Sequence, residues 1–181
     1  MSGTTISPSS ALELSGIDGV DAAWVLDRYR HPVSGVTRVG LLLGRAKHAE
    51  LEPPARLLGR RLGEVLSSRP WPDDLVVVPV PSSSGLTGEL ARLAAGGLGR
   101  ATSTTLGVRW GILGRLDGAA RGRIRVRGRR SPRFVLLVDD TISTGETLSA
   151  CAAVLRARGA ERVWAAATCT VAHESQIDEF G

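Results

Sequence analysis

The stretch Val135-Leu136-Leu137-Val138-Asp139-Asp140-Thr141-Ile142-Ser143-Thr144-Gly145-Glu146-Thr147 decides how the rest of the chain is read. Its four leading aliphatic residues are too few for a helix core. Bounded by polar residues, they read as a strand buried on both faces, as in a parallel sheet. Two adjacent aspartates end that strand. A short loop of small hydroxylated residues with one glycine follows, and Leu148, Cys151, Ala152 and Leu155 then recur at helical spacing. In an open α/β sheet ligands bind beyond the carboxyl ends of strands, which puts Asp139 and Asp140 where chemistry is usually done. Ser143 to Glu146 also reads as a capping box, with Ser143 as N-cap and Glu146 reaching back. The box accounts for Ser143 and Glu146 alone. It gives no reason for two like charges at the end of a buried strand, where repulsion and desolvation both cost free energy.

Outward from this stretch, the same alternation of strands and helices continues. Ala22 to Tyr29 reads as a strand, His31 to Gly35 as a turn, and residues 36, 39, 42, 43 and 46 as the apolar stripe of a helix over 36–48. Pro53-Pro54 suits the first turn of a second helix, which runs to Ser68. Leu75 to Val80 is another buried-strand signature. The loop Pro81-Ser82-Ser83-Ser84-Gly85 follows, and a helix from Leu86 to Leu98 comes next. Thr102 to Leu113 alternates as a further strand, Glu146 to Arg158 is a helix stopped by Gly159, and Arg162 to Thr168 is the last strand. This order predicts one α/β domain over 11–181, with a mainly parallel sheet flanked by helices on both faces. Residues 1–10, rich in Ser, Thr and Gly, read as a frayed tail.

The 181 residues fall within the usual range of one domain. Two cysteines, Cys151 and Cys169, each inside an apolar run, supply neither a disulfide framework nor a zinc ribbon. No secretory signal or membrane-length apolar run is present, so a cytoplasmic protein with no membrane partner is expected. The net charge of +5 favours anionic partners. Arginines fill seven of the thirteen positions from Arg121 to Arg133. In extended chain Arg121, Arg123, Arg125 and Arg127 share one face, with Ile124 and Val126 on the other.

The motif at Val135 to Thr147 resembles the PRPP-binding motif of the type I phosphoribosyltransferases, four hydrophobics then Asp-Asp-x-x-x-Thr-Gly-x-Thr, and matches it at every defined position. The resemblance implies the type I phosphoribosyltransferase fold and a transfer of phosphoribose from PRPP, with pyrophosphate released and Mg2+ as cofactor. Asp139 and Asp140 would hold the ribose hydroxyls and the Mg2+ shell, directly or through water. Thr141, Ile142, Ser143, Thr144, Gly145, Glu146 and Thr147 would take the 5'-phosphate. Tyr29, a short loop and an apolar helix carrying Lys47-His48 are similar to the ComF-like branch, a competence-associated group, here without its N-terminal zinc ribbon. That likeness makes Lys47 a candidate donor to phosphate or pyrophosphate, beside its plain reading as a solvated lysine near a helix end.

In type I enzymes the loop after the strand at 75–80 binds pyrophosphate. Here Ser82, Ser83, Ser84 and Gly85 would do so through hydroxyls and backbone N–H groups, where ComF-like sequences carry a basic segment. The loop also reads as an ordinary serine-capped turn. The segment 114–133 stands where the family has a closing lid. Leu116 and Arg121 fit the ComF-like pattern, but Ile124 replaces its Asn. Lid, nucleic-acid contact and solvated loop remain three readings of these arginines. Thr170 to His173 would border the acceptor. The 6-oxopurine enzymes place an aspartate where Ser143 stands, and a serine cannot exchange that proton at neutral pH, which argues against hypoxanthine or guanine. The acceptor is left open, as are a non-catalytic PRPP binder linked to DNA uptake and a homodimer.

Overall fold

The computed structural model describes residues 11–48, 52–108, 124–128, 130–171 and 177–178. Its centre is β9 (Phe134–Ile142), in which Val135 to Val138 are all fully buried. Successive side chains of a strand point to opposite faces. Val135 and Leu137 accordingly join one core cluster, while Leu136 and Val138 join the other. A strand with four buried residues in a row needs cover on both sides. Helices α1 (Arg38–His48), α2 (Glu52–Ser67) and α3 (Leu86–Leu98) supply it on one face, and α4 (Glu146–Arg156) on the other.

Seven strands form the sheet. With β1 (Leu12–Leu14), β2 (Ala23–Arg28), β5 (Leu75–Pro79), β6 (Ala101–Thr102), β10 (Arg162–Thr170) and β11 (Ile177–Asp178), the order is β11-β1-β2-β10-β9-β5-β6. The five strands from β2 to β6 are parallel, and β1 and β11 pair antiparallel at one edge. The mainly parallel sheet with helices on both faces is the architecture expected from the sequence. Hairpin β3 (Arg30–His31) and β4 (Gly35–Val36) stands at the end of β2, where a simple turn is expected from the sequence. The pairing of β1 with β11 has no counterpart in the sequence reading.

The expected strand over 102–113 is corrected. Ala101–Thr102 pairs with β5, the chain then leaves the sheet, and β7 (Leu106–Val108) pairs with β8 (Ile124–Val126) in a separate two-stranded ribbon. Residues 109–113 lie outside the described residues, as do Arg121 and Arg123 of the expected lid. The alternation of that segment holds where it is described: Ile124 and Val126 are buried, and Arg125 is exposed.

The topology places a crevice. The chain leaves β5 through α3 to β6 on one side, and leaves β9 through α4 to β10 on the other. Right-handed crossovers running in opposite directions put their helices on opposite faces. The loops after β5 and β9 therefore part from each other at a topological switch point, where open α/β sheets bind ligands.

The helical layer is held by close backbone approach. Gly63 of α2 and Gly97 of α3 face each other. A Cβ at Gly97 would stand 3.0 Å from the Cα of Gly63, and one at Gly63 would stand 3.1 Å from the Ala94 carbonyl oxygen. Trp71 packs edge-on to Trp24 and Trp164, with centroids 5.6 and 5.4 Å apart, and Arg69 lies 4.1 Å over the Trp24 ring. Because backbone cannot yield as a side chain does, Gly97→Ala is expected to destabilise the fold by about 1–3 kcal/mol. Urea unfolding should show a lower midpoint at an unchanged slope, and an unaltered midpoint would refute the close crossing.

Candidate functional site

The acidic pair stands where β9 stops being buried. Ladder pairs join Ala167 to Asp139 and Cys169 to Thr141, and the Thr168 hydroxyl donates to the Asp140 carbonyl at 2.6 Å between them. The two carboxylates have different neighbours. Asp139 lies towards α4, where its charge acts on Cys151, and it accepts the Asp140 backbone N–H at 2.7 Å. Asp140 faces α1, where Lys47 Nζ donates to its Oδ1 at 3.0 Å and comes within 3.5 Å of the Thr141 hydroxyl. Lys47 thus reaches the site across 93 residues of sequence, at the acidic pair itself.

Asp139 keeps some exposed surface, but its carboxyl group is the enclosed part. Burial, helped by the Asp140 charge, pushes its pKa up to about 7, against the opposing Asp140 N–H and the Lys47 charge. An acid of this kind is half protonated near neutrality. It can donate a hydrogen bond in one form and accept two or more in the other. The nearby thiols are not competitors for chemistry. Burial pushes Cys169 up to about 11 and Cys151 higher still, so neither is a thiolate at neutral pH.

The loop after β9 is open where a ligand would need it. Ser143, Thr144 and Glu146 are exposed, and Thr147 is half-buried. Asp139, Thr141, Ser143, Gly145 and Thr147 are among the residues around a small cavity of about 30 Å³. Ile142 differs from its neighbours. Its side chain is buried in the α4-side core, and its carbonyl accepts both the Thr170 hydroxyl and the Val171 N–H at 3.0 Å. Only its main chain is available to a ligand.

The capping box at Ser143 to Glu146 is not formed. Gly145 is the N-cap of α4, at φ 78°, with no side-chain cap bond. A left-handed N-cap turns the chain so that Ser143 and Thr144 stand outside the first turn, and Thr144 Oγ1 instead accepts the Glu146 N–H at 3.4 Å. Glycine is required there on two grounds. The φ is one that L side chains rarely adopt, and a Cβ would meet Ile17 at 3.0 Å.

The loop after β5 repeats this construction. Gly85 is the N-cap of α3 at φ 71°, and Ser84 Oγ accepts the Leu86 N–H at 3.4 Å. Ser83-Ser84-Gly85-Leu86-Thr87 and Ser143-Thr144-Gly145-Glu146-Thr147 share the pattern Ser-(Ser/Thr)-Gly-x-Thr. The twin pattern is legible in the sequence as a short internal repeat, and its last member, Thr87, lies beside the β5 loop without belonging to the sequence-predicted site. Thr87 is buried and ties α3 to the end of β5 through a 3.0 Å bond to the Val80 carbonyl.

Ser82, Ser83, Ser84 and Gly85 are all exposed. Beside them lies a cavity of about 270 Å³ bounded by Ser82, Gly85, Thr104, Gly107 and Arg127. Arg127 crosses the Gly107 backbone, where an added Cβ would stand 2.8 Å from its Nε, and its N–H donates to the Thr105 carbonyl at 2.6 Å. One of the four lid arginines of the sequence reading is thus held next to the serine loop. Arg125 is exposed on β8, away from the buried side of the ribbon. Thr170 is buried at the end of β10, and His173 lies outside the described residues. The arrangement as a whole is that of an α/β protein with two glycine-capped, hydroxyl-bearing loops and an acidic pair at one switch point.

No family model matches the chain, and no curated protein does. Solved structures overlap it in part. A hypoxanthine phosphoribosyltransferase from Staphylococcus aureus is 17% identical, with a TM-score of 0.41, over 67% of this chain and 65% of that one. The Trypanosoma cruzi hypoxanthine phosphoribosyltransferase, in a ternary substrates complex, is 18% identical with a TM-score of 0.42, over 65% and 75% of the two chains. For the Leishmania donovani hypoxanthine-guanine enzyme the values are 15% and 0.43, over 66% and 82%. The match thus spans less than two thirds of the S. aureus chain. The site's own residues, rather than these overlaps, carry the assignment below.

The raised Asp139 pKa has a consequence for stability. Between the ordinary value of 3.8 and about 7 the folded state holds a proton that the unfolded state has lost. Stability in metal-free buffer is therefore expected to fall as pH rises through that window. Asp139→Asn should flatten the slope and add about 1–4 kcal/mol at pH 8. Urea midpoints measured from pH 4 to pH 8 check this, and parallel curves for the two proteins would contradict it.

Proposed function

We propose that this chain is a phosphoribosyltransferase of the type I class, which uses PRPP and Mg2+ and releases pyrophosphate. The observation that carries the reading is the switch-point crevice, with an acidic pair and an anion-sized loop on β9 facing a twin loop on β5. Asp139 and Asp140 accept the vicinal ribose hydroxyls. The opening N–H groups of α4, with the hydroxyls of Ser143, Thr144 and Thr147, take the 5'-phosphate, since a helix N-terminus combines free donors with a positive dipole end. Ser82 to Gly85, with Arg127 beside them, take the pyrophosphate.

The donor set suits Mg2+ held together with substrate. Among the described residues no three of His, Cys, Asp and Glu are grouped as a metal site. Magnesium ordinarily binds through one or two carboxylates with substrate phosphates and water, and Asp139 and Asp140 fit that habit. Bound there, the ion would neutralise pyrophosphate charge. In the reaction the C1'–O bond to pyrophosphate breaks, and the oxygen keeps the electron pair. A C1'–N bond forms to the acceptor, whose N–H proton is lost. The protein's share is to hold the two phosphate ends apart across the crevice and to stabilise the charge that moves between them.

The acceptor is a nitrogen nucleophile, and Ser143 argues that it differs from the hypoxanthine handled by the S. aureus enzyme, because a serine hydroxyl does not take a base's proton at neutral pH. The catalytic unit is the segment 11–181. A cytoplasmic setting belongs to the same proposal, and the two buried free cysteines suit it. No helix among the described residues is long and apolar enough to cross a membrane.

A second reading, a ComF-like PRPP binder that contacts nucleic acid, is favoured by one feature. The β7–β8 ribbon buries Ile124 and Val126 while it shows Arg125 to solvent. Calorimetric titration with Mg2+ and PRPP, followed by a pyrophosphate-release panel of nucleobases and amines, separates the two. Binding with turnover on one acceptor is expected. Binding without turnover, together with salt-sensitive single-stranded DNA affinity lost in a variant with Arg121, Arg123, Arg125 and Arg127 replaced by Ala, would favour the binder. No heat from PRPP would reject both. Gly145→Ala, strained at positive φ and pressed against Ile17, should weaken PRPP binding by about tenfold, or roughly 1.4 kcal/mol.

A further inference from the structure

The acidic pair is partly neutralised by a residue from another element. Lys47 ends α1 on the opposite side of Asp140 from α4. Its ammonium takes one oxygen of that carboxylate at 3.0 Å and lies 3.5 Å from the Thr141 hydroxyl. A lysine is a compact point charge on a long flexible stem, with donors that can be re-aimed at little cost. Its side chain here is 36% exposed, against 15% for Asp140, so the carboxylate is sheltered while the ammonium has a way out to solvent. Ion pairs with such exposure hold weakly and exchange readily.

A divalent ion at Asp140 and the Lys47 ammonium compete for the same carboxylate, since both need its oxygens and repel each other. We propose that Lys47 is the resident counter-cation of Asp140. It occupies that carboxylate until a divalent ion arrives with its polyphosphate ligand, and then transfers its hydrogen bonds to the polyphosphate. Metal binding at Asp140 thereby becomes conditional on the polyphosphate. This rests on the phosphoribosyltransferase reading above and assigns Lys47 a positioning part in it that a solvated lysine would not have. Free metal displaces the ammonium to solvent alone, whereas metal with PRPP would supply a new anionic partner for it. By linkage, the same coupling makes PRPP affinity depend on metal by the same factor.

The test measures Mn2+ binding by electron paramagnetic resonance, alone and with PRPP, for the wild type, Lys47→Met and Lys47→Arg. Thermal melts run beside it to confirm that each variant is folded. In the wild type, Mn2+ alone is expected to bind weakly and PRPP to tighten it. Lys47→Met, with the competitor gone, should bind Mn2+ alone about tenfold tighter and show a correspondingly smaller effect of PRPP. Lys47→Arg, which keeps a cation, should bind free Mn2+ as weakly as the wild type. Equal Mn2+ affinities for wild type and Lys47→Met without PRPP would overturn the proposal, as would an undiminished PRPP effect in a folded Lys47→Met. A wild type that ignores PRPP overturns the functional reading itself. That failure is seen before any substitution is made, so the two are told apart.

Discussion

The site depends on one constraint, the right-handed crossing of chain connections leaving neighbouring parallel strands in opposite directions. Had α3 and α4 covered the same face, the loops after β5 and β9 would have lain against each other and closed the space between them. On opposite faces they part, and the sheet itself becomes the floor of a crevice. The central position of β9 follows from the same constraint. A strand flanked by two parallel neighbours and covered on both sides can be aliphatic throughout, as Val135 to Val138 are. The first polar residues after such a run must fall at the rim. The acidic pair is thus a consequence of where burial ends, as well as of what a ligand would need.

Placing two carboxylates there costs free energy, and the protein offsets only part of it. Asp140 has Lys47, and Asp139 has a single backbone N–H from Asp140. The result is an asymmetric pair. One carboxylate is paired with a cation, while the other is enclosed and held near neutrality by burial and by its neighbour's charge. Each pKa unit corresponds to about 1.4 kcal/mol, so a shift of this size is a substantial local cost, offset by one backbone hydrogen bond. Cost of this kind clusters at binding sites because a ligand can relieve it. On the phosphoribosyltransferase reading, a sugar diol would supply hydroxyl donors to both carboxylates and remove the reason for Asp139 to hold its proton.

The legible part of the chain was the part in which one residue's environment is set by its near neighbours. The start of α4 and the span of α3 over Leu86 to Leu98 could be read from periodicity, whereas β9 runs on through Asp139 and Asp140 to Ile142, past the aspartates that the sequence reads as its end. The parts that were not legible involve distant partners or backbone angles. Ser143 to Glu146 has the letters of a capping box, but the glycine between them adopts a left-handed φ, and the cap passes from the serine side chain to Gly145. Nothing local in Thr102 to Leu113 says that the chain turns out of the sheet after two residues to pair with Ile124 to Val126. Trp24, Trp71 and Trp164 are spread over 140 positions, and their edge-on contacts exist only after the helical layer has closed. Lys47 and Asp140 were each singled out in the sequence, but their pairing across 93 residues was not.

The twin loops share a backbone design and differ in their surroundings, and the difference gives the crevice a direction. Gly85 and Gly145 open α3 and α4 at nearly the same angles, φ 71° and 78°, so both loops present hydroxyls and helix N–H groups to an anion. Beside the β9 loop stand Asp139 and Asp140, whose carboxyl oxygens are acceptors suited to hydroxyl donors. Beside the β5 loop no carboxylate lies among the described residues that bound the cavity, and Arg127 does. On the phosphoribosyltransferase reading, a ligand with a phosphate at each end and a diol between them would satisfy both loops one way round: the diol and the singly phosphorylated end on β9, and the more highly charged end on β5. In that orientation the bond between sugar and leaving group would span the gap between the strands. A scaffold with two identical loops and no acidic pair would bind the same anions without choosing between the two orientations, and so could not present one particular bond for attack.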